Sequence, residues 1–278
     1  MLTVVIVSAA LSAAILLTAP RLLAPGAWAL RRPAAALRVW MLSLLAVICG
    51  LLTTVLSGTL LIVTAVAGYL RPAHLLIPVA VSVLMSAAAA VWIRLKHCHL
   101  ARVRSVHKAV AALEPHIISR SQRDAFVLAR VESPEVFSYA VDRAPAEAGV
   151  GARPLVIVST GMQQLLSAAQ LQTIVAHEYA HVRSRHELLL RIAALTEAMS
   201  PRWLAYGQAL QRSITLLVEL AADDSAAARA GAVHLANALA AVSQQTGDPS
   251  LDLRAERLTL GEWTLTHRLQ VPADFRVA

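Results

Sequence analysis

The sequence predicts a mainly α-helical protein in which N-terminal transmembrane helices precede an α+β domain with a small β-sheet. Hydrophobic residues make up 57% of the 278 residues, against about 45–50% in ordinary soluble domains. The first 93 residues contain no Asp, Glu or Lys, so all 17 acidic residues lie in the second part of the chain. In that second part, one helical pattern is followed by short β-type runs and then by further helical patterns. We therefore divide the chain into a transmembrane region of about three helices at 1–94 and a second domain at 95–278.

Three apolar runs in the first region predict membrane spans. Residues 1–19 are long enough to cross a bilayer. We interpret them as a retained span, because no basic segment precedes them as it would in a signal peptide. A second span is predicted near 39–63, with two short re-entrant pieces as the alternative, and a third at 75–93. The protein is therefore expected to cross the membrane several times.

The arginines predict how these spans are oriented. Four basic residues lie between the first and second spans, and only Arg71 lies between the second and third. Five basic residues follow the third span: Arg94, Lys96, Arg102, Arg104 and Lys108. The positive-inside rule then places the N-terminus outside the plasma membrane and the second domain in the cytoplasm. The net charge of +8 comes largely from the arginines that flank the apolar spans of the first region, so we expect no direct binding to nucleic acid.

The second domain is predicted to begin with an amphipathic helix at 100–118. Runs rich in β-forming residues at 125–131, 136–141 and 155–159 predict a small antiparallel sheet. A strand next to the helix that follows could pair with an extended peptide. Further helices are predicted at 186–199, 203–229 and 231–245, followed by a polar tail.

The helix predicted after the sheet carries the chemistry-bearing motif. Ser167 and Gln170 form a capping-box pattern, and apolar residues then recur at helical spacing. The helix contains His177-Glu178-x-x-His181. Residues four apart share one helix face, so both imidazoles can bind one metal ion while Glu178 lies beside them. The motif predicts a zinc site with His177 and His181 as ligands and Glu178 as the catalytic base.

A catalytic zinc site requires a third protein ligand and an open position for water. Glu219, on a following helix, is the best candidate for that ligand. Asp223 lies one turn further on and could accept the second ring N–H of a ligating histidine. The alternative is that both are ordinary surface acids. The group that stabilises the oxyanion stays open among three residues: Arg185, His186 and Tyr206.

The stretch VIVSTGMQQLLSAAQLQTIVAHEYAHVRSRH, together with Glu219-x-x-Ala222-Asp223, resembles the integral-membrane gluzincins. The closest resemblance is to the BlaR/MecR-type antirepressor peptidases, to which HtpX heat-shock and CAAX-processing proteases are related. It covers roughly residues 125–230 and the membrane layout in outline. It implies a zincin-like metallopeptidase domain with one Zn²⁺ held by His177, His181 and Glu219. It does not extend to the penicillin-sensor domain of those receptors, so we do not expect these 278 residues to sense β-lactams.

The sequence therefore predicts a membrane zinc endopeptidase that cleaves a cytoplasmic protein. The resemblance implies a transcriptional repressor of the winged-helix type, acting in a signalling pathway, as the substrate. One alternative is a quality-control or processing protease, and another is a catalytically silent membrane receptor or scaffold. The lipid bilayer is the other expected partner, and the sequence is compatible with a homo-oligomer.

Overall fold

The computed structural model describes residues 2–24, 26–68, 112–123, 125–141, 153–201 and 203–261. They are predominantly helical, with two apolar helices at the N-terminus and a small four-stranded sheet, which confirms the predicted fold class. The described residues form two compact units. One contains the described residues up to 68 together with 190–217, and the other contains 112–189 and 218–261. The domain boundary predicted at 94/95 lies outside the described residues.

The first unit contains α1 (Leu2–Leu22), α2 (Ala27–Arg31) and α3 (Pro33–Gly68). Within the described part of the chain, α1 and the segment Pro33–Leu61 of α3 are long and apolar enough to cross a membrane. Because α3 is one continuous helix, the re-entrant alternative for the second run is wrong. The third predicted span, 75–93, lies outside the described residues.

Small and hydroxylated residues bring α1 and α3 together. The hydroxyls of Ser8 and Thr54 lie 2.8 Å apart. A Cβ on Gly50 would collide with the hydroxyl of Ser12 as it is placed, so the two helices approach closely at this glycine. The two predicted spans therefore pack directly against each other through polar as well as apolar contacts.

The second unit contains the sheet, with strands β1 (Ile117–Gln122), β2 (Val127–Val131), β3 (Ser138–Val141) and β4 (Leu155–Ser159). Their order is β1-β2-β4-β3. The pairs β1/β2 and β3/β4 are antiparallel, but β2 and β4 are parallel. The prediction of an antiparallel sheet is therefore wrong for the central pair. Strand patterns locate strands but not their partners, and here β3 forms the edge beyond β4, so that β4 lies beside β2.

The first strand occupies a segment for which a helix was expected. The predicted amphipathic helix should continue to Ile118, but Glu114–His116 form a 3₁₀ turn and β1 starts directly afterwards. Pro115 explains the difference, since proline disfavours the α conformation of the residue before it. The predicted helical residues 100–111 lie outside the described part of the chain.

Helices follow β4 along the rest of the described chain. They are α4 (Thr160–Leu165), α5 (Ala168–Arg183), α6 (His186–Met199), α7 (Ala205–Ala230), α8 (Ala232–Thr246) and α9 (Pro249–Leu260). Helix α9 replaces part of the predicted polar tail. Asp248 caps it by accepting from the backbone N–H of Ser250, and Pro249 occupies its first position. This Asp-Pro start is a recognisable helix signal, so α9 was predictable.

The core of the second unit lies between one face of the sheet and the helices. It contains Leu128, Val156 and Val158 from the strands and Ile174, Ala226, Leu235 and Leu258 from the helices. The other face of the sheet buries Val127 and Ile157 beneath Phe137 and Tyr139. Both faces of the sheet therefore carry buried residues, and α5 packs against β3 and β4.

Candidate metal centre

The N-terminus of α5 is fixed by the predicted capping box. The Ser167 hydroxyl accepts from the backbone N–H of Gln170, and the Gln170 side chain accepts from the backbone N–H of Ser167 at 2.8 Å. Leu171, Ile174 and Val175 are buried in the core. Because this apolar face fixes the rotation of the helix, the positions of His177 and His181 are determined by packing rather than by the histidines themselves.

His177, His181 and Glu219 lie together. The two Nε2 atoms are 3.0 Å apart, and the Glu219 oxygens lie 3.5 Å from Nε2 of His177 and 3.6 Å from Nε2 of His181. Around a tetrahedral zinc ion with bonds of about 2.0–2.2 Å, ligand atoms lie about 3.3–3.5 Å apart. The three side chains therefore fit one such cation, and two imidazoles with one carboxylate are a donor set that it prefers.

Asp223 lies behind His177. It is fully buried, and its Oδ1 is 3.0 Å from Nδ1 of His177. The oxygen lies off the axis of the Nδ1–H bond, so the contact is an electrostatic pairing rather than a well-aligned hydrogen bond. It favours the proton on Nδ1 and leaves Nε2 directed towards His181 and Glu219.

His186 occupies the corresponding position behind His181. Its Nδ1 lies 3.3 Å from Nδ1 of His181, and the two rings are perpendicular with centroids 5.0 Å apart. Arg185, with a positive φ of 51°, makes the sharp turn from α5 into α6 that places His186 there. Since His181 directs Nε2 towards His177, His186 contacts the opposite edge of that ring and supports it.

The other two candidates for oxyanion stabilisation have different surroundings. The Tyr206 hydroxyl lies 3.0 Å from the Ser43 hydroxyl, and its ring packs edge-on against Trp40 within the first unit. Arg185 is exposed at the turn between α5 and α6.

Glu178 is held from the edge of the sheet. The hydroxyl of Ser138, on β3, donates to its Oε1 at 2.7 Å. Burial raises the pKa of Glu178, against the opposing effect of His177. A carboxylate with a raised pKa beside a metal site is suited to accept and return a proton. No local pattern predicts the role of Ser138, because its contact with Glu178 depends on the packing of β3 against α5.

Arg254 is a second residue that sequence reasoning missed. From α9, it donates to both oxygens of Asp223 at 2.7 and 2.8 Å, and its Nη1 lies 3.0 Å from Oε2 of Glu219. It lies in the segment that was expected to be a polar tail. Only the fold brings it to the two carboxylates of α7.

The charges in this cluster shift its pKa values strongly. Burial lowers the pKa of His177, but Asp223 and Glu219 outweigh it and raise that pKa to about 9. Burial, with the neighbouring His177, lowers the pKa of His181 to about 3. Burial raises the pKa of Glu219, but His177 outweighs it and lowers that pKa to about 2. The His177 ring lies between the two carboxylates, which favour its protonated form, and a divalent cation bound at Nε2 would displace the proton from that nitrogen.

The site combines two histidines four residues apart on one helix with a glutamate from a later helix, and a buried carboxylate lies beside them. This combination is typical of a metallopeptidase. Residues 111–267, more than half of the chain, match the sequence model of Peptidase family M48. The chain belongs to this family of metal-dependent peptidases, in agreement with the predicted zincin-type metallopeptidase domain. The finer resemblance to the BlaR/MecR type stays a prediction.

A curated relative supports the family assignment over a shorter segment. The plastoglobule-localized metallopeptidase 48 of Arabidopsis thaliana chloroplasts is 28% identical to this chain over 93 residues. That segment covers 33% of this chain and 27% of the relative, so the chain matches about a quarter of that protein. No solved structure matches the chain significantly.

Proposed function

We propose that this protein is a membrane-embedded zinc endopeptidase that hydrolyses peptide bonds of a cytoplasmic protein. The observation that carries the proposal is the convergence of His177, His181 and Glu219, with all three donors within 4.8 Å of one another. Glu178 is held next to this cluster by Ser138. Membership of a metallopeptidase family supports the same reaction class.

The residues around the ligands have separate tasks in this reaction. Zn²⁺ held by His177, His181 and Glu219 would supply Lewis acidity, which lowers the pKa of a water molecule and polarises a peptide carbonyl. Glu178 accepts a proton from the attacking water and donates it to the amine nitrogen as the peptide C–N bond breaks. Asp223 and His186 hold the two imidazoles so that their Nε2 atoms stay directed at the ion.

The apolar helices support attachment to the membrane. Helix α1 and the segment Pro33–Leu61 of α3 have the length and composition of spans. The arginines between them favour a cytoplasmic location for this connection, and so an external N-terminus. We propose a multi-pass protein of the plasma membrane whose catalytic domain faces the cytoplasm.

The substrate is proposed to be a transcriptional repressor of the winged-helix type. This step rests on the resemblance of the motif region to BlaR/MecR-type peptidases. Capture with the Glu178→Gln variant tests it, because a base-deficient site binds substrate without turning it over. Recovery of a DNA-binding repressor supports the signalling function. Recovery of misfolded or lipidated membrane proteins favours the quality-control or processing alternative.

Proteolysis by the purified full-length chain in detergent tests the reaction class. We expect zinc-dependent cleavage of a fluorescently labelled, unfolded model protein, and a loss of at least about 100-fold for Glu178→Gln, since general-base catalysis contributes about 10²–10⁴-fold. Glu256→Gln, which alters an exposed glutamate of α9, is the matched control and should retain activity. Equal activity of Glu178→Gln and the wild type would contradict the proposal and favour a catalytically silent receptor or scaffold.

A further inference from the structure

The Arg254 guanidinium contacts two carboxylates of α7 that have different tasks. Its Nε and Nη2 donate to Oδ2 and Oδ1 of Asp223 at 2.8 and 2.7 Å. Its Nη1 lies 3.0 Å from Oε2 of Glu219. The Arg254 side chain is 12% exposed and that of Asp223 is 0% exposed. Charge-assisted contacts of a planar guanidinium in such surroundings are strong and restrict the orientation of both partners.

The contact with Asp223 fixes the carboxylate that pairs with His177. Both oxygens of Asp223 accept from Arg254, so the carboxylate plane is set by the guanidinium plane. The same Oδ1 lies 3.0 Å from Nδ1 of His177. The orientation of the His177 ring therefore depends on Arg254 through Asp223.

The contact with Glu219 distinguishes the two oxygens of that carboxylate. Oε2 faces Nη1 of Arg254, whereas Oε1 faces Nε2 of His181 at 3.6 Å. Oε2 also lies 3.5 Å from Nε2 of His177, so the oxygen that contacts Arg254 is itself directed at a proposed ligand. The guanidinium therefore restricts the orientation of the Glu219 carboxylate beside the two histidines.

We propose that Arg254 is a positioning residue of the metal site, whose one guanidinium sets the orientation of both Glu219 and Asp223. The inference rests on the proposed function, because it takes His177 and Glu219 as zinc ligands. The competing explanation is purely structural, namely that Arg254 only attaches α9 to α7. A second pair between the same helices separates the two explanations: Nη2 of Arg257 lies 2.6 Å from Oδ1 of Asp224.

Removal of Arg254 has two opposing effects on a bound cation. Loss of the positive charge of Arg254 favours binding, because it removes the Coulomb repulsion between the guanidinium and the metal cation. Loss of the guanidinium also leaves the buried Asp223 without its strongest partner, and such a carboxylate takes up a proton or turns away. We expect the second effect to be larger, because Asp223 is fully buried and all three guanidinium contacts are lost together. Arg254→Lys separates the effects, since it keeps the charge but not the planar fork.

The test is the zinc dissociation constant of the purified full-length chain, measured by competition with a fluorescent chelator. Removal of a group that orients metal ligands typically costs about 10–100-fold in affinity, and we expect this loss for Arg254→Met. Arg254→Lys should remain at least about fivefold weaker than the wild type, because an ammonium cannot reproduce three directed contacts. Arg257→Met should stay within about twofold, since the pair that Arg257 forms with Asp224 contains no proposed metal ligand.

Two further readouts separate positioning from folding. The melting temperature of the EDTA-treated protein reports attachment of α9 to α7, and we expect Arg254→Lys and Arg257→Met to retain a cooperative transition. The visible absorption of the Co²⁺-loaded protein reports coordination, and we expect Arg254→Lys to lose intensity while Arg257→Met does not. If Arg254→Met fails to fold, Arg254→Lys decides the question on both readouts.

The outcomes distinguish this inference from the proposed function. A wild-type chain that binds no zinc contradicts the proposed function. A wild-type chain that binds zinc, with Arg254→Lys equal to it in affinity and Co²⁺ spectrum, overturns the inference alone. Equal losses of affinity in Arg254→Met and Arg257→Met also overturn it, because attachment of α9 would then be the cause.

Discussion

Asp223 and His177 form a buried pair, with Oδ1 of the carboxylate 3.0 Å from Nδ1 of the ring. The other nitrogen of that ring, Nε2, lies 3.0 Å from Nε2 of His181. Asp223, on α7, therefore favours the proton on Nδ1 of His177 and leaves Nε2 of that ring available for a metal ion. This relationship connects the two helices that supply the proposed ligands.

Replacement of Asp223 should weaken metal binding without removing a ligand. In Asp223→Asn, the amide keeps the shape of the side chain but loses the charge that pairs with His177 and Arg254. We expect zinc affinity to fall by about 10–100-fold, the usual effect of losing a partner of a ligating histidine. Chelator competition measures it, with Asp224→Asn as the control on the same helix. Unchanged affinity in Asp223→Asn would show that Asp223 does not orient His177.

His186 should act on His181 in a comparable but weaker way. His186→Phe keeps a buried ring behind His181 but removes the nitrogen 3.3 Å from its Nδ1, which would accept from Nδ1–H once Nε2 of His181 binds a metal ion. We expect about a threefold to tenfold loss of zinc affinity, since a neutral hydrogen bond contributes less than a charged one. His186→Gln offers an acceptor again and should recover part of the loss. If His186→Gln is as weak as His186→Phe, packing rather than the Nδ1 contact supports His181.

Metal uptake should release a proton from His177. The raised pKa of His177 means that its ring is protonated at neutral pH in the metal-free site, whereas a ligating imidazole must be neutral. Apparent zinc affinity should therefore increase with pH until the raised pKa of about 9 is passed. Calorimetric titration at pH 7.5 in buffers of different ionisation enthalpy should show release of about one proton per zinc. A binding enthalpy that is independent of the buffer would contradict this protonation state.

Ser138 should influence catalysis and leave metal binding intact. Its hydroxyl donates to Glu178 at 2.7 Å, so Ser138→Ala removes a contact to the proposed base but touches no proposed ligand. We expect kcat/KM to fall by about threefold to tenfold, the equivalent of one hydrogen bond, while zinc content stays at the wild-type level. Ser121→Ala, at an exposed position of β1, serves as the control. A variant that loses zinc instead would place Ser138 in the support of the ligands.

Local patterns predicted the elements well, but not the contacts between distant segments. The capping box at Ser167 and Gln170 forms as expected, because its contacts span only three residues. The run at 155–159 is a strand at the predicted positions, yet its parallel pairing with β2 was not foreseen, because pairing depends on where the chain crosses. The periodicity of each helix shows which of its residues share a face. It could only suggest, and not establish, that residues of α5 and α7 share a site.

The supporting residues were beyond sequence reasoning for the same physical reason. Ser138 reaches Glu178 because β3 is the edge strand against α5, and Arg254 reaches Asp223 from α9, which packs against α8. Neither residue type is unusual for its segment. Their tasks exist only once long-range packing has brought separate segments together.

Zinc-edge X-ray absorption of the purified full-length chain tests the central claim most directly, namely that α5 and α7 together hold one ion. For the wild type, we expect one zinc with two imidazole nitrogens and carboxylate oxygen at about 2.0–2.2 Å, and for Glu219→Ala a loss of most bound zinc. A wild-type chain without zinc, or with the same zinc environment after Glu219→Ala, would contradict the account.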